Sequence, residues 1–95
     1  MVKIIHGSGK DNVVTCCEKV EPGTEIKIEG KTIRAKDEIP IYHKMACKEI
    51  AAGETVYKYG EPIGAATVKI APGRHVHTQN IESNRGRGDK KGEAQ

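Results

Sequence analysis

Apolar and polar residues alternate along this chain in short runs, and no window keeps a convincing helical period. In residues 25–29 the apolar positions are Ile26 and Ile28, which fall on one face of an extended chain. The alternation resumes at residues 32–35, after Gly30. A period of two is typical of half-buried β-strands. Further short strands are predicted at residues 2–5, 13–17, 56–59 and 66–70. The pattern therefore predicts an all-β domain.

A corner motif recurs between these strands. It consists of a β-branched residue, two linking residues, a glycine, two more residues and a second β-branched residue, and its copies are residues 20–26, 50–56 and 70–76. Proline before the glycine presets φ, and the glycine supplies the positive φ that a type II turn needs. A fourth copy has Tyr42 in place of the glycine. Because tyrosine tolerates positive φ poorly, we expect a different turn there.

Two further segments have no periodic pattern. Residues 60–64 resemble no phosphate-binding loop, because no helix is predicted to follow them, and we interpret them as a tight connection between two strands. Residues 84–95 are rich in glycine and charge and have no apolar anchor before Ala94. Such a segment cannot offset its own ordering entropy. We therefore predict one domain over residues 1–83, followed by a flexible charged tail.

The composition limits what this domain can do. The chain has 95 residues, no Trp, no Phe and three Tyr, so its core must consist mainly of Val, Ile and Ala. A chain of this size buries roughly 60–65% of the surface that its unfolded form exposes. A deep active site of its own is therefore not expected. There is no apolar run of 18 residues or more and no signal-peptide pattern, so we expect a cytoplasmic protein without a membrane partner.

The three cysteines, Cys16, Cys17 and Cys47, do not form the even, spaced set of a disulfide framework. A zinc site that uses the two neighbouring thiols is conceivable, but metal-binding pairs are usually separated by two to four residues. Small buried thiols are the favoured interpretation.

The formal net charge is +3, and residues 85–93 contain four of the basic side chains. Without an aromatic platform, we expect no nucleic-acid partner.

Two short segments carry candidate chemistry. His75 and His77 are two residues apart, so in a strand they share a face, while Val76 points to the core. Two imidazoles at this spacing can share a metal or bind a carboxylate. A solvated polar face of an edge strand is an equally weighted alternative. His43 and Lys44 could hold an anion between them, although chance adjacency in a loop is the commoner explanation.

Four segments together carry a family resemblance, and they are residues 10–13, 43–46, 57–64 and 73–80. The run from Tyr57 to Gly64 and the His75-Val76-His77 run are the most specific of them. In this order they resemble the N-terminal SAF domain of altronate and galactarate dehydratases, which has the β-clip fold. The resemblance covers about residues 4–89, which is nearly the whole chain.

The resemblance implies a small subunit of a two-part hydro-lyase that eliminates water from a sugar acid, with the catalytic part in a separate large subunit. Sulfolactate sulfo-lyase has the same arrangement and eliminates sulfite from a sulfonated hydroxy acid, which keeps it as an alternative. Enzymes of this type depend on a divalent metal, usually iron, which the two subunits would share. Other SAF domains act as non-catalytic carbohydrate-binding or assembly modules, and exposed strand edges would also favour a homo-oligomer.

The resemblance also implies roles for individual residues. The expected catalytic residues and metal ligands are His75 and His77; the expected substrate-binding residues are His43, Lys44 and Asn80; the expected partner-interface residues are Arg85 and Arg87. Two positions depart from the family pattern. Gln79 occupies the place of a third histidine, and Tyr42 occupies the place of a glycine. The departure at Gln79 implies weaker holding of metal or substrate, or a different substrate.

Overall fold

The computed structural model describes residues 2–83, and within this range it contains strands and turns but no helix. The strands are β1 (Ile4–Ile5), β2 (Val13–Cys16), β3 (Glu25–Ile28), β4 (Lys31–Arg34), β5 (Lys44–Ala46), β6 (Thr55–Lys58), β7 (Glu61–Ala66), β8 (His75–Val76) and β9 (Ile81–Ser83). All pairings are antiparallel. The all-β prediction is confirmed.

The central sheet has the strand order β1-β2-β5-β8, so it is assembled from segments far apart in sequence. Its two faces are both covered. Val14 and Met45 pack into one apolar cluster, whereas Val13 and Ala46 pack into a second. Because successive side chains of a strand point to opposite faces, each of β2 and β5 contributes alternate residues to the two clusters. This explains why every residue of β2 is buried.

Two hairpins extend from this sheet. In β3–β4 the turn residues Glu29 and Gly30 have φ of 49° and 82°, and in β6–β7 Tyr59 and Gly60 have φ of 55° and 77°. Positive φ at both central residues is the geometry of a type I′ turn, which matches the twist of a hairpin. The turn is therefore Tyr59-Gly60, and the connection expected at residues 60–64 is wrong.

The strand predicted at residues 66–70 is also wrong. The strand that follows the Tyr59-Gly60 turn is β7, which begins at Glu61 and ends at Ala66. It lies between β6 and β9. Pro62 precedes the residues that pair with β9, so its missing N–H costs no bond to that strand. Gly64 approaches β9 so closely that a Cβ would lie 2.3 Å from the Glu82 carbonyl oxygen.

The corner repeat corresponds to a structural repeat. Isolated bridges join Val20 to Ile39 and Ile50 to Ile70, and each bridge closes one hairpin unit. In both units the corner glycine donates its N–H across the hairpin. Gly23 donates to the Ala35 carbonyl oxygen at 2.8 Å, and Gly53 donates to the Ala66 carbonyl oxygen at 2.7 Å. The two units therefore share one backbone design.

The expectation for the corner at Tyr42 is wrong, because Tyr42 adopts the same backbone conformation as the glycines, with φ of 68°. Its N–H donates to the Cys16 carbonyl oxygen at 2.6 Å, and the Cys16 N–H donates to the His43 carbonyl oxygen at 2.9 Å. These two bonds to β2 hold the corner in this conformation. The Tyr42 side chain is 69% exposed, so it fits this conformation without crowding the core.

A buried aspartate joins the β6–β7 hairpin to the central sheet. Asp11 is only 1% exposed. Its Oδ2 accepts N–H groups from Gly7 at 3.2 Å and Tyr59 at 2.7 Å, and its Oδ1 accepts the N–H of Gly60 at 2.7 Å. The Asn12 side chain makes two more hydrogen bonds to β6: its Nδ2 donates to the Thr55 carbonyl oxygen, and its Oδ1 accepts the Tyr57 N–H. Together the two side chains hold the hairpin.

Burial alone would raise the pKa of Asp11, but the three N–H donors outweigh it and the net pKa lies below the usual value. The buried carboxylate is therefore ionised, and its oxygens have hydrogen-bond donors.

None of residues 2–83 forms a helix that could cross a membrane. The predicted tail, with Arg85 and Arg87, lies outside the described residues.

Candidate functional site: a histidine cluster at one end of the central sheet

Three histidines are brought together by the pairing of β5 with β8. His43 immediately precedes β5, and His75 begins β8, where it pairs with Met45. Residues two apart on a strand share a face, so His43 and Met45 lie on one side of the sheet, and His75 and His77 lie on that side too. The three side chains, hereafter the histidine cluster, are each half-buried.

The imidazole rings of the histidine cluster stack against one another. The His43 ring centroid lies 5.0 Å from that of His75 and 4.5 Å from that of His77, and the third pair of centroids is 5.6 Å apart. His43 Nδ1 and His75 Nε2 are 2.8 Å apart, which is a hydrogen-bond distance. One ring must donate and the other accept, so this pair holds one proton between its two nitrogens.

The backbone around the cluster is held by two polar side chains. Asn80 accepts the His77 N–H at 3.0 Å through Oδ1 and donates to the His75 carbonyl oxygen at 2.8 Å through Nδ2. Asp37 accepts the His75 N–H at 3.0 Å and also an Arg74 N–H at 2.9 Å. These bonds fix the chain on either side of Val76, so both histidines keep their common direction.

The electrostatic surroundings favour neutral imidazoles. Burial lowers the pKa of His43, and the nearby His77 and Lys44 lower it further. Burial also lowers the pKa of His75, again with contributions from neighbouring rings, while Asp37 partly opposes the shift. A neutral imidazole carries a free lone pair, which is the form that binds a metal or accepts a proton.

The cluster fits a divalent metal. Each ring offers one nitrogen, and the three nitrogens all lie within 4.8 Å of one another. Imidazole suits Fe, Zn, Cu and Ni, and three protein ligands leave coordination positions open for substrate. Binding would require the proton shared by His43 and His75 to leave, because each ligand nitrogen needs its lone pair free.

The other expected site residues are placed differently. Lys44 pairs with Val76, so alternation directs it to the face opposite the histidine cluster. Gln79 is exposed, and its Nε2 lies 3.4 Å from His75 Nδ1 and 3.3 Å from the His75 carbonyl oxygen. Asn80 faces the backbone of the two histidines, so within residues 2–83 its contacts are those of a positioning residue.

Sequence reasoning grouped His75 with His77 but left His43 apart, because His43 is 32 residues from His75 and their contact depends on the β5–β8 register. Asp37 was not predicted, and no local sequence pattern marks it.

A family model for the altronate/galactarate dehydratase SAF domain matches residues 2–84 of the chain.

The chain belongs to this SAF-domain family. Among its relatives, altronate dehydratase of Escherichia coli is 39% identical over 74 residues, which cover 78% of this chain and 15% of the relative. Altronate dehydratase of Bacillus subtilis is 35% identical, again over only 15% of its length. The chain thus spans about a seventh of these dehydratases.

A third relative is of similar length to this chain. The (2R)-sulfolactate sulfo-lyase subunit alpha of Chromohalobacter salexigens is 34% identical over 88 residues, which cover 86% of this chain and 94% of the relative. Relatives of this SAF domain therefore include both the leading part of a larger dehydratase and a separate lyase subunit. The resemblance noted from the sequence is confirmed.

Proposed function

We propose that this chain is the small component of a two-part, metal-dependent hydro-lyase that eliminates water from a sugar acid. A large catalytic subunit supplies most of the active site, and the histidine cluster of this chain completes it. The observation that carries the proposal is the convergence of His43, His75 and His77, held by Asn80 and Asp37 and half-exposed on the outer side. An open cluster of this kind suits a site that a second surface closes.

In the assembled enzyme, His43, His75 and His77 would hold a divalent ion, which we propose is iron. Such an ion, when bound, polarises a hydroxyl or carboxylate oxygen of the substrate as a Lewis acid. In the metal-free chain the His43 Nδ1 to His75 Nε2 contact holds one proton, which would leave when the three imidazole nitrogens bind the ion. The three histidines would then position the ion, and the large subunit would supply the base that removes the substrate proton.

Sulfite elimination from a sulfonated hydroxy acid is a second candidate. It is favoured by the alignment over 94% of the sulfolactate sulfo-lyase subunit, compared with 15% of the dehydratases. Both reactions are eliminations from a hydroxy acid, so the same cluster serves either of them. A non-catalytic binding or assembly module is the remaining alternative, and it requires no role for the imidazole nitrogens.

The test is reconstitution. The chain is co-purified with the product of a neighbouring gene tested as the large subunit, and release of water or sulfite from a panel of hydroxy acids is assayed with and without Fe(II). His77→Ala should lower kcat by roughly 100-fold or more, because it removes one of the three imidazoles that would hold the ion, and loss even of a residue that only supports a metal ligand costs about 10–100-fold. His6→Gln is the matched control, because His6 lies outside the cluster and contacts Glu29. It should keep the wild-type rate.

The outcomes separate the candidates. Loss of water identifies the hydro-lyase, and loss of sulfite identifies the sulfo-lyase. A complex that forms and turns over at full rate with His77→Ala contradicts the assigned site. If no complex forms with a large subunit, the two-part proposal fails and a binding module is favoured.

We further propose that Arg85 and Arg87 contact the large subunit and that the enzyme is cytoplasmic. Free thiols at Cys16, Cys17 and Cys47 are consistent with a reducing compartment. Replacing both arginines with alanine should weaken assembly, and the loss should shrink as salt rises because exposed charges are screened. Assembly that is unchanged at low salt would contradict the interface.

A further inference from the structure

Gln79 contacts the histidine cluster from outside it. This residue lies in the turn between β8 and β9, and its side chain is exposed. Its amide nitrogen Nε2 is 3.3 Å from the His75 carbonyl oxygen and 3.4 Å from His75 Nδ1. One nitrogen therefore faces two atoms of the same histidine, one on the backbone and one on the ring.

The backbone contact fixes the orientation of the Gln79 amide. A carbonyl oxygen can only accept a hydrogen bond, so the Gln79 atom that faces the His75 carbonyl oxygen must be the NH2 group. Turning the amide over would place two oxygens against each other with no hydrogen between them. The NH2 group has two hydrogens, so it can donate one to the carbonyl oxygen and the other to the ring. His75 Nδ1 is therefore an acceptor.

This assignment gives the hydrogen bond between the two histidines a direction. A neutral imidazole has one N–H and one lone pair, so a ring that accepts at Nδ1 carries its proton on Nε2. His75 Nε2 lies 2.8 Å from His43 Nδ1, so His75 is the donor and His43 is the acceptor. His43 then carries its own proton on Nε2. A chain of hydrogen bonds thus runs in one direction, from Gln79 through His75 to His43.

This chain of hydrogen bonds opposes the binding of a cation. A ring nitrogen binds a metal only through a free lone pair. In His75 the nitrogen that faces His43 carries the proton. If the ring is to stay neutral and free that nitrogen, the proton must leave Nε2 for Nδ1, where it would meet the Gln79 NH2 group. Two donors cannot hydrogen-bond to each other, so the Gln79 side chain must first turn away.

Asn80 shows how the contacts of Gln79 differ from those of a supporting amide. Both printed contacts of the Asn80 side chain are with the backbone, to the His77 N–H and the His75 carbonyl oxygen. Asn80 is half-buried, whereas Gln79 is exposed and can move without disturbing the core. The His75 carbonyl oxygen also keeps its 2.8 Å bond from Asn80 when Gln79 turns away. The contact of Gln79 with the ring is therefore not needed to satisfy the backbone.

We propose that Gln79 is a positioning residue that holds the proton of His75 on Nε2 and so weakens the binding of a divalent metal by the histidine cluster. The identity of the metal as the ion of a lyase rests on the proposed function, whereas the position of the proton does not. Gln79 acts through His75 and is not itself a metal ligand.

The position of the proton is tested on the full chain without metal. NMR of isotope-labelled histidine rings distinguishes a protonated ring nitrogen from an unprotonated one. His75 should carry its proton on Nε2 in the wild-type chain. Gln79→Glu offers only acceptors and should move the proton to Nδ1, and Gln79→Met should remove the preference. The ring of His6, which contacts Glu29, is the internal control and should not change. A wild-type His75 with its proton on Nδ1 would overturn the assignment.

Metal affinity tests the positioning role. Co(II) is titrated into the full chain, and its visible absorption is followed. Gln79→Met should bind Co(II) about tenfold more tightly than the wild-type chain, an effect of the size that hydrogen-bond partners of metal-binding histidines typically have. Thr32→Met places the same side chain at an exposed position of β4 and should match the wild type. If Gln79→Met binds Co(II) no more tightly than the wild-type chain, the positioning role is overturned.

Folding stability separates this role from a structural one. Because Asn80 still satisfies the His75 carbonyl oxygen, Gln79→Met should leave the free energy of unfolding unchanged. A loss of stability with unchanged Co(II) affinity would assign the Gln79 contact to the fold and would contradict the proposal. Failure to find any lyase activity would remove the proposed function but would leave the NMR and Co(II) results standing. An active enzyme whose His75 carries its proton on Nδ1 would overturn the role of Gln79 alone.

Discussion

The two ends of the central sheet carry polar groups in opposite states. At the end where β2 begins, Asp11 is 1% exposed and its carboxylate accepts three backbone N–H groups. At the other end, beside Cys16, the three rings of the histidine cluster are half-exposed, and their nitrogens meet mainly one another. The aspartate is fully satisfied, whereas the ring nitrogens of His77 have no hydrogen-bond partner within residues 2–83.

This difference distinguishes polar groups that stabilise the fold from polar groups that are available to bind a ligand. A buried group whose partners are all internal contributes stability, and removing it leaves those partners unsatisfied. A group that is positioned by its neighbours but keeps its own lone pairs free contributes little stability and is available to a ligand. Substitutions at the aspartate end should therefore affect stability more than activity, and substitutions at the histidine end should affect activity more than stability.

The largest expected effect is at the aspartate end. Asp11→Ala leaves the N–H groups of Gly7, Tyr59 and Gly60 without their acceptor, and it releases the β6–β7 hairpin. The free energy of unfolding should fall by about 3–5 kcal/mol, as measured by urea denaturation, because each buried N–H left without an acceptor costs about 1–3 kcal/mol. Glu25→Ala, which removes one exposed ion pair with Arg34, is the control and should cost less than about 1 kcal/mol. Equal losses in the two variants would contradict the structural role of Asp11.

At the histidine end, Asn80→Ala should lower activity more than stability. It removes the acceptor for the His77 N–H and the donor to the His75 carbonyl oxygen, so the two rings lose their fixed direction. Loss of such supporting bonds typically costs about 10–100-fold in metal affinity or activity. In the reconstituted enzyme kcat should fall by that factor, while the free energy of unfolding changes by about 1 kcal/mol. Asn80→Asp keeps the acceptor and should recover part of the rate. The positioning role is refuted if both variants keep the wild-type kcat.

Tyr42 offers a smaller test beside the same end. Its φ of 68° is the left-handed conformation that its three glycine counterparts adopt at φ near 90°. This conformation costs a non-glycine residue roughly 1–2 kcal/mol. Since the Tyr42 side chain is 69% exposed, Tyr42→Gly should raise the free energy of unfolding by about 1 kcal/mol. A thermal or urea unfolding curve measures the change. A destabilised Tyr42→Gly variant would show that the tyrosine side chain makes a stabilising contact.

The pH dependence of stability gives the smallest effect. The pKa of Asp11 lies below its unfolded value of 3.8. A group with a lowered folded pKa contributes stability above its unfolded pKa, and that contribution is lost as the pH falls through the folded pKa. Unfolding free energy measured between pH 6 and pH 2.5 should therefore drop below about pH 4. The part of that drop due to Asp11 should be absent in Asp11→Asn, and an identical pH profile in that variant would contradict the assignment.

Local sequence pattern predicted much of this molecule. Alternation at Ile26 and Ile28 and the recurring glycine corners indicated short strands and sharp turns, because both depend on the residues themselves. The spacing of His75 and His77 indicated one shared face for the same reason. The conformation of Tyr42 was not predictable, because hydrogen bonds to Cys16 impose it against the residue's own preference.

The features that escaped prediction depend on contacts between distant segments. His43 joins the histidine cluster only because β5 pairs with β8 in one register. Asp11 lies in a polar loop by sequence, and its role follows from the approach of Tyr59, 48 residues away. The limits of β7 were misplaced because Tyr59-Gly60, rather than the glycine-proline segment after it, makes the turn.

We propose that the histidine cluster of this chain, with His43 as a full member, completes a metal-dependent lyase site. The most direct measurement is the metal content and kcat of the reconstituted complex made with His43→Ala. We expect loss of about one bound metal equivalent and at least a roughly 100-fold fall in kcat, with the free energy of unfolding of the small chain changed by less than about 1 kcal/mol. A complex with full metal content and an unchanged rate would contradict it.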